Sequence, residues 1–439
     1  MSSQKVKLGS ILKESKVVSE FPDTNKRIKV RLKVLGVEKR GIENEVEGAT
    51  KQFIRKAGQF IYGKQNFHKG AFGIVPKELD GFESSSDLPA FDVDKSCLPE
   101  FLFYFFKKGN YYLELSKIAS GVATQRINTS QFFDLEILLP EIEIQKTLLK
   151  NIKILENNGG EILSELTHQL DLIKQLRQAF LREAMQGKLL TAVRSSAVEK
   201  QATGHELLAQ IKAEKAQLIA EKKLKKEKEL APITTDEFPF EIPEHWAWCR
   251  LGEICDKIID CPHSTPKYLE TETDFFGIDT NCIDDRNQIY RLRNLSEDQY
   301  NERTRRSTLI IDDIIFAREG SIGKAVILKE NKKICLGQRV MMFRPSKVIL
   351  PKFLLLLTTS PNYLQKLLEK HKGMGAKHVN VKDVVASLIP LPPLHEQEQI
   401  VAKLEDLMAF CDGLEQSIKE SQGYNEQLLQ QVLREALQG

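Results

Sequence analysis

A long internal duplication constrains this chain more than any other feature of its sequence. A shift of 252 residues aligns 121–187 with 373–439 without a gap. Gly121 meets Gly373, Asn128 meets Asn380, Gln145 meets Gln397, and "LREAMQG" (181–187) meets "LREALQG" (433–439). The copies share apolar spacing more than identity. In the second, Ile400, Leu404, Leu407, Cys411, Leu414, Ile418, Ser421, Asn425, Leu428 and Val432 alternate steps of four and three. In the first, the matching positions are Leu148, Ile152, Leu155, Gly159, Ile162, Leu166, Gln169, Ile173, Leu176 and Phe180. That alternation, held over more than four heptads, predicts a helix seam. Pro140, and Pro392 with Pro393, stand where a helix would begin, and Gly187 and Gly439 where one would stop. Helices of about 45 residues are ~68 Å long at 1.5 Å per residue, which suits a spacer better than a core element. Two amphipathic helices on separate cores would also fit. A mutual pair is favoured because both copies keep one register over equal lengths. On such a seam Gln169, Ser421 and Asn425 would fix register, and Gly159 would leave room for a larger residue opposite.

The repeat extends upstream more faintly. "KLGSI" (7–11) resembles "RLGEI" (250–254), and each opens a segment mixing strand-like and helical runs. "GQFIYGKQ" and "DDIIFARE" predict strands; "LPEFLFYFFKKGNYYLELSK" and "LPKFLLLLTTSPNYLQKLLEK" predict helices. A glycine turn follows each strand, with Gly70 and Gly73 in one copy and Gly320 and Gly323 in the other. Lys64, Gln65, Asn66, His68 and Lys69 flank the first; Arg318, Ser321 and Lys324 flank the second. These side chains carry donors suited to base edges and phosphates. A hairpin turn with solvated polar residues explains them as well. The loop "DCPHSTPKY" is stiffened by two prolines and offers His263, Ser264, Thr265, Lys267 and Tyr268. Before the long helices, Gln125 and Arg126 recur as Lys377 and His378, facing either DNA or a protein partner. "GSIGKA" is not a phosphate loop: two residues separate its glycines where four are needed, and Ala325 follows the lysine.

Between the halves lies a different kind of sequence. "LLAQIKAEKAQLIAEKKLKKEKEL" predicts a charged helix with little apolar face, a connector that could dock on a partner, followed by the extended, Pro-rich "APITTDEFPFEIPEHW". The net charge of +3 neither supports nor excludes nucleic acid. Seven scattered cysteines without a CxxC pair predict reduced thiols in the cytoplasm and no zinc site; Cys261 and His263 alone do not make a metal site. No run approaches the ~20 apolar residues of a membrane span, and the first residues carry no signal-peptide pattern.

In this order, "GAFGIVPKELDG" (70–81), "EIPEHWAWCRLGEI" (241–254), "GSIGKAV" with "CLGQRVMMFRP" (335–345), and "LIPLPPLHEQEQIVAKLEDLMAFCDGLE" (388–415) resemble the specificity subunit of type I restriction–modification enzymes. The resemblance covers essentially the whole chain. It implies an α+β fold with two globular α/β target-recognition domains in pseudo-twofold arrangement, separated by two long antiparallel coiled-coil helices. The expected boundaries are domain 1 at 1–139, the central helix at 140–187, the connector at 188–245, domain 2 at 246–391 and the C-terminal helix at 392–439. Each domain would read one half of a bipartite site in double-stranded DNA, and the coil would fix the gap. The DNA-contacting set then comprises the loop residues above together with Gln338 and Arg339. The resemblance also implies two methyltransferase subunits using S-adenosylmethionine and two motor-nuclease subunits using ATP and Mg. This chain would bind no cofactor or metal and hold no catalytic residue, consistent with the lack of methyltransferase, Walker or helicase motifs. One departure concerns the first helix start, where Glu141, Glu143 and Ile144 replace Pro393, His395 and Glu396. A contact made by that turn is expected to differ between halves. The rival reading is a coiled-coil protein–protein adaptor without sequence-specific DNA binding.

Overall fold

Two buried glutamines show how each half is assembled. Gln145 Nε2 donates to the carbonyls of Ser96 and Pro140, both at 2.8 Å, and its Oε1 accepts from the Leu98 amide at 2.8 Å. Gln397, its counterpart in the repeat, donates to the Pro392 carbonyl at 3.0 Å and accepts from the Leu350 amide at 2.9 Å. Leu98 and Leu350 each precede a helix that opens on proline, Pro99–Lys107 and Pro351–Thr358. One amide side chain thus pins the first turn of a long helix to the start of a domain helix, in both copies. Each is buried with its polar atoms satisfied, as burial demands.

The computed structural model describes residues 3–41, 50–120, 125–190, 202–226, 228–369 and 378–437. The chain divides into two units: unit 1 is Met1–Gln169 with Ser417–Gly439, and unit 2 is Leu170–Gln416. In unit 1 an antiparallel sheet runs in the order Leu12–Glu14, Ala90–Val93, Phe60–Tyr62, Phe72–Ile74. The strand Ser3–Lys7 pairs antiparallel with Glu136–Pro140, which leads into the first long helix. Unit 2 repeats this plan. Its sheet runs Cys255–Asp260, Val340–Pro345, Ile314–Ala317, Ala325–Ile327, and Ala247–Arg250 pairs with Leu388–Leu391. The inserts differ. Unit 1 carries a hairpin, Ile28–Val30 with Val37–Lys39, and the pair Gln52–Ile54 with Glu83–Ser85. Unit 2 carries a three-stranded sheet of Arg293–Asn294, Phe275–Ile278 and Lys333–Leu336. The unit 1 core is aromatic, with Phe60, Phe67, Phe72, Phe106 and Phe132 in mutual ring contact.

The long helices span Ile142–Met185 and Leu394–Ala436. In unit 1, Asn425 Nδ2 donates to the Gly159 carbonyl at 2.9 Å, while Leu148, Leu149 and Ile152 share a core with Leu429, Leu433 and Leu437. In unit 2, Arg177 donates to Asp412 at 2.7 Å and Glu415 at 3.1 Å, while Phe180, Leu181, Ala184 and Met185 share a core with Ile400, Leu404 and Met408. Within each unit the two helices run antiparallel. The repeated phrases therefore belong to different units, and the described apolar residues of each lie against the domain helices of the other copy. Leu433 and Leu437 share a core with Phe105 and Tyr112; Ala184 and Met185 share one with Tyr363 and Leu367.

The seam departs from the expected phase. Ile152, Ile173, Ile400 and Leu404 are buried, and Leu148, Leu166, Leu176, Leu407, Ile418 and Val432 are half-buried. Leu155 (36% exposed), Ile162 (50%), Leu414 (37%) and Leu428 (60%) instead face outward. One residue further on, Glu156, Glu415 and Leu429 are half-buried in place of Leu155, Leu414 and Leu428. Along the second helix Leu407 and Met408 are both half-buried, and the stripe then runs 411, 415, 418, 422 and 425, keeping the expected 411, 418 and 425 and moving the positions between them by one. Of the three polar seam candidates, Asn425 reaches across, whereas Ser421 and Gln169 bond to Ser417 and Glu165 of their own helices.

The connector helix is shorter than expected, ending at Ala220, and packs within unit 2. The helix, Gly204–Ala220, is capped by Thr203 with Glu206 and buries Leu207 and Ile211 in the unit 2 core. Spacing of three and four suffices for a narrow apolar stripe. Lys215 Nζ donates to the carbonyls of Gly252 and Cys255 at 2.8 and 2.6 Å. Gly187 ends the first long helix at φ +67°, where the Lys188 amide reaches the Glu183 carbonyl at 2.9 Å. A Cβ there would lie 2.6 Å from Pro243 Cγ, so glycine is required by conformation and by space.

Lys108 gives unit 1 a pH response. Its Nζ donates to the Leu437 carbonyl at 2.8 Å and lies 4.0 Å from the Phe105 ring centroid. Burial lowers its pKa to about 8. Because the unfolded lysine keeps its proton to higher pH, this group destabilises the folded state below pH 8, and stability is regained between about pH 8 and 10.5. Lys108→Met should remove that component. The difference between parent and variant melting curves across this range should shrink as pH rises; a constant difference would refute the assignment.

Candidate nucleic-acid interface

In both units one backbone contact organises the candidate loops. The Ile127 amide donates to the Lys64 carbonyl at 2.9 Å, and the Val379 amide donates to the Arg318 carbonyl at 2.9 Å. Lys64 and Arg318 each follow the end of a central strand, so the segment entering the long helix lies beside the glycine turn.

In unit 1 this brings Lys64, Gln65, Asn66 and Lys69 beside Gln125 and Arg126. Lys64 to Asn66 are half-buried, and Lys69 and Gln125 are exposed. Arg126 exchanges backbone bonds with Ser120 and lies 3.8 Å from Asp87. Phe67–Lys69 forms a single 3-10 turn closed by Gly70 at φ +79°. His68 is turned inward and is 8% exposed. Burial, and then Lys69, lowers its pKa, which favours the neutral ring. As placed it packs, and offers no face to a groove.

In unit 2, Arg318, Gln338, Arg339, Thr265 and His378 converge. The Arg318 amide donates to the Arg339 carbonyl at 3.0 Å, Glu319 and His378 form a backbone bridge, and Gln338 Nε2 donates to Thr265 Oγ1 at 2.6 Å. Lys377 lies outside the described residues. The Arg318 guanidinium is engaged by Asp260, at 2.6 Å from Nε and 3.0 Å from the second nitrogen, and its side chain is only 13% exposed. Burial opposes its charge, yet the Asp260 carboxylate outweighs burial and raises its pKa. Ser321, His263 and Ser264 are exposed, as is Lys267, whose amide donates to Gln299 at 2.8 Å. Lys324 closes the same turn, its amide on the Ser321 carbonyl at 3.2 Å, while its ammonium is engaged by Asp285 at 2.7 Å.

Thr265, Tyr268, Gln338 and Arg339 line a cleft of about 410 Å³ together with Asp279, Asn281 and Arg293. The Arg293 guanidinium lies 3.4 Å from the Tyr268 ring centroid, and Asp279 accepts from both, from Tyr268 at 2.9 Å and from Arg293 at 3.1 Å. Buried Arg303 ties the cleft's rims together. It donates to the carbonyls of Leu336 (2.8 Å), Gly337 (2.7 Å) and Ser264 (3.0 Å). Sequence reasoning missed Arg293 and Arg303, whose partners lie 14 to 39 residues away, and Asn281, which carries no motif of its own. Gly337 was a usable signal: a Cβ there would lie 2.7 Å from the Ile278 carbonyl oxygen.

The family model for the type I restriction modification DNA specificity domain matches this chain twice, at residues 4–175 and 243–421. The chain is 28% identical over 258 residues to the EcoAI type I restriction enzyme specificity subunit of Escherichia coli, covering 56% of this chain and 42% of that protein. It is 23% identical over 345 residues to the EcoBI subunit, covering 77% and 65%. These matches therefore span less than two thirds of either relative's length. Among solved structures, the HsdS subunit from Thermoanaerobacter tengcongensis shares the fold with a TM-score of 0.54 at 18% identity, covering 100% of this chain and 97% of that one. A chain from a structure of type I R-M complex assembly gives 0.55 at 18%.

Proposed function

Matched by its family model over well more than half its length, the chain belongs to the type I restriction modification DNA specificity family, and we propose that it is the sequence reader of such a complex. Each recognition domain reads one half of a bipartite site in double-stranded DNA, and the long helices set the unread gap. The observation that carries this reading is the shared frame with different inserts. One strand, turn and helix-entry plan recurs in both units, while the side chains presented on it differ, as two different half-sites require. Phosphate contacts by lysine and arginine supply salt-dependent affinity, and base-edge contacts supply choice.

In this reading Lys64, Gln65, Asn66, Lys69, Gln125 and Arg126 serve one half-site. Thr265, Gln338, Arg339, His263, Ser264, Lys267, Ser321, Lys377 and His378 serve the other, with Tyr268 shaping the cleft. Arg318 acts as a positioning residue, Lys324 stays in the contact set at the same turn, and His68 lies outside it. Two methyltransferase subunits carry S-adenosylmethionine, two motor-nuclease subunits carry ATP and Mg, and this chain recruits both in the cytoplasm without catalysing either reaction. Among the described residues no helix is long and apolar enough to cross a membrane.

Co-expression with a methyltransferase partner, followed by methylome sequencing, should give one two-part motif with a fixed gap. Binding of that duplex should weaken with salt, its log–log slope near −0.9 per phosphate contacted. A complex that methylates without sequence preference, or a chain that joins its partners but leaves DNA unbound, would favour the adaptor reading instead.

A further inference from the structure

Unit 1 carries a basic ribbon that neither the duplicated plan nor the candidate loops account for. Residues 27–40 read "RIKVRLKVLGVEKR", with six cationic residues against one carboxylate, Glu38. They form the hairpin Ile28–Val30 with Val37–Lys39. One face is apolar: Ile28 is buried, and Val30 and Val37 pack on the same small core. The opposite face bears Lys29 and Arg31 around Glu38, at 3.6 and 3.5 Å.

Two features of the tip are unusual. Leu32 and Leu35 are 44% and 60% exposed. Lys33 and Val34 between them both sit at positive φ, +55° and +58°. For a β-branched valine that conformation is costly, and a relaxed two-residue turn would use Asn-Gly. Straps from the recognition loop hold it there. The Lys33 amide donates to the Lys69 carbonyl and the Val34 amide to the Gly70 carbonyl, both at 2.8 Å. A Cβ on Gly70 would fall 2.9 Å from the Val34 nitrogen. The loop thus fixes where the two leucines project.

We infer that this hairpin is a specificity element which enters the DNA major groove of one half-site, its Leu32 and Leu35 meeting base edges, thymine methyl groups foremost. This rests on the proposed function. A two-stranded ribbon fits the major groove, where the thymine methyl is the apolar mark that distinguishes bases. The flanking Lys29, Arg31, Lys33 and Lys39 complement the phosphates on either side. Exposed leucines framed by cations suit a surface that is both charged and locally apolar, which a groove floor offers between its backbones.

The test uses the full chain with its methyltransferase partner and the duplex defined by methylome sequencing. Leu32→Ala/Leu35→Ala should fold normally, since both side chains are exposed. Affinity for the cognate duplex should fall on the order of 10-fold, the scale of a lost base contact, and preference should relax at one or two positions of one half-site. Deoxyuridine in place of thymine there should weaken the parent complex and leave the variant unaffected. The salt slope should not change, whereas Arg31→Ala should make it shallower. An unchanged base preference, or a loss spread equally over all sequences, overturns the inference while leaving the bipartite reader intact. A parent complex without site-specific binding removes both.

Discussion

Glu396→Ala is expected to lower the stability of unit 2 by about 3–4 kcal/mol, a fall of roughly 6–12 °C in its melting temperature. Trp246 is buried, and its Nε1 donates to Glu396 Oε2 at 2.8 Å. His245 Nε2 lies 2.6 Å from the other oxygen. Indole N–H is a donor only, so alanine would strand it inside a core. The effect should be confined to the second copy, because Ile144 occupies the matching position of the first. The differing helix starts noted in the sequence thus have a physical meaning: one is tied by a carboxylate to the "PEHW" segment. Glu396→Gln, which keeps an acceptor, should lose less. Differential scanning calorimetry of the three proteins decides the matter. Indistinguishable melting of Glu396→Ala and parent would sink the claim.

Arg318→Ala should cost about 1–3 kcal/mol locally, because it leaves the half-buried Asp260 carboxylate without its partner. It should also abolish selectivity at one half-site. Arg318 holds the start of the glycine turn, and its backbone receives Val379 and reaches Arg339. The discriminating variant is Asp260→Ala. If Arg318 served DNA directly, freeing it from Asp260 would strengthen binding. In the positioning role Asp260→Ala should reproduce the selectivity loss of Arg318→Ala, and the double variant should be no worse than either single one. Anisotropy titrations against duplexes altered in each half-site separate these outcomes. Tighter binding by Asp260→Ala would return Arg318 to the contact surface.

The duplicated frame was legible because it is written in local signals. Prolines at helix starts, Gly187 at a helix end and glycine turns after apolar strands all act within a few residues. Gln145 and Gln397 align in the duplication, but each clamps a residue 47 positions away. The phase of the seam was not legible. Leu414 and Leu428 fit a heptad count, yet Glu415 and Leu429 are the half-buried residues, and spacing alone does not separate neighbours one position apart. The Arg318–Asp260 pair spans 58 residues and leaves no periodic trace. The basic hairpin leaves an equally faint trace. Its strands are three residues long, and Lys33 and Val34 occupy the turn where a reader looks for Asn-Gly.

The exchange of helix ends between the two units sets an order of events during synthesis. Unit 2 is one continuous stretch, Leu170–Gln416, and all of its contacts are available once residue 416 has emerged. Unit 1 begins first but includes Leu433 and Leu437 in its core, and Lys108 bonds a carbonyl 329 positions away. Its aromatic core can gather early, yet its last wall is added only when translation has passed residue 437. The half translated first is therefore the half completed last, and until then its apolar groove under Phe105 and Tyr112 stands open to whatever else the nascent chain meets.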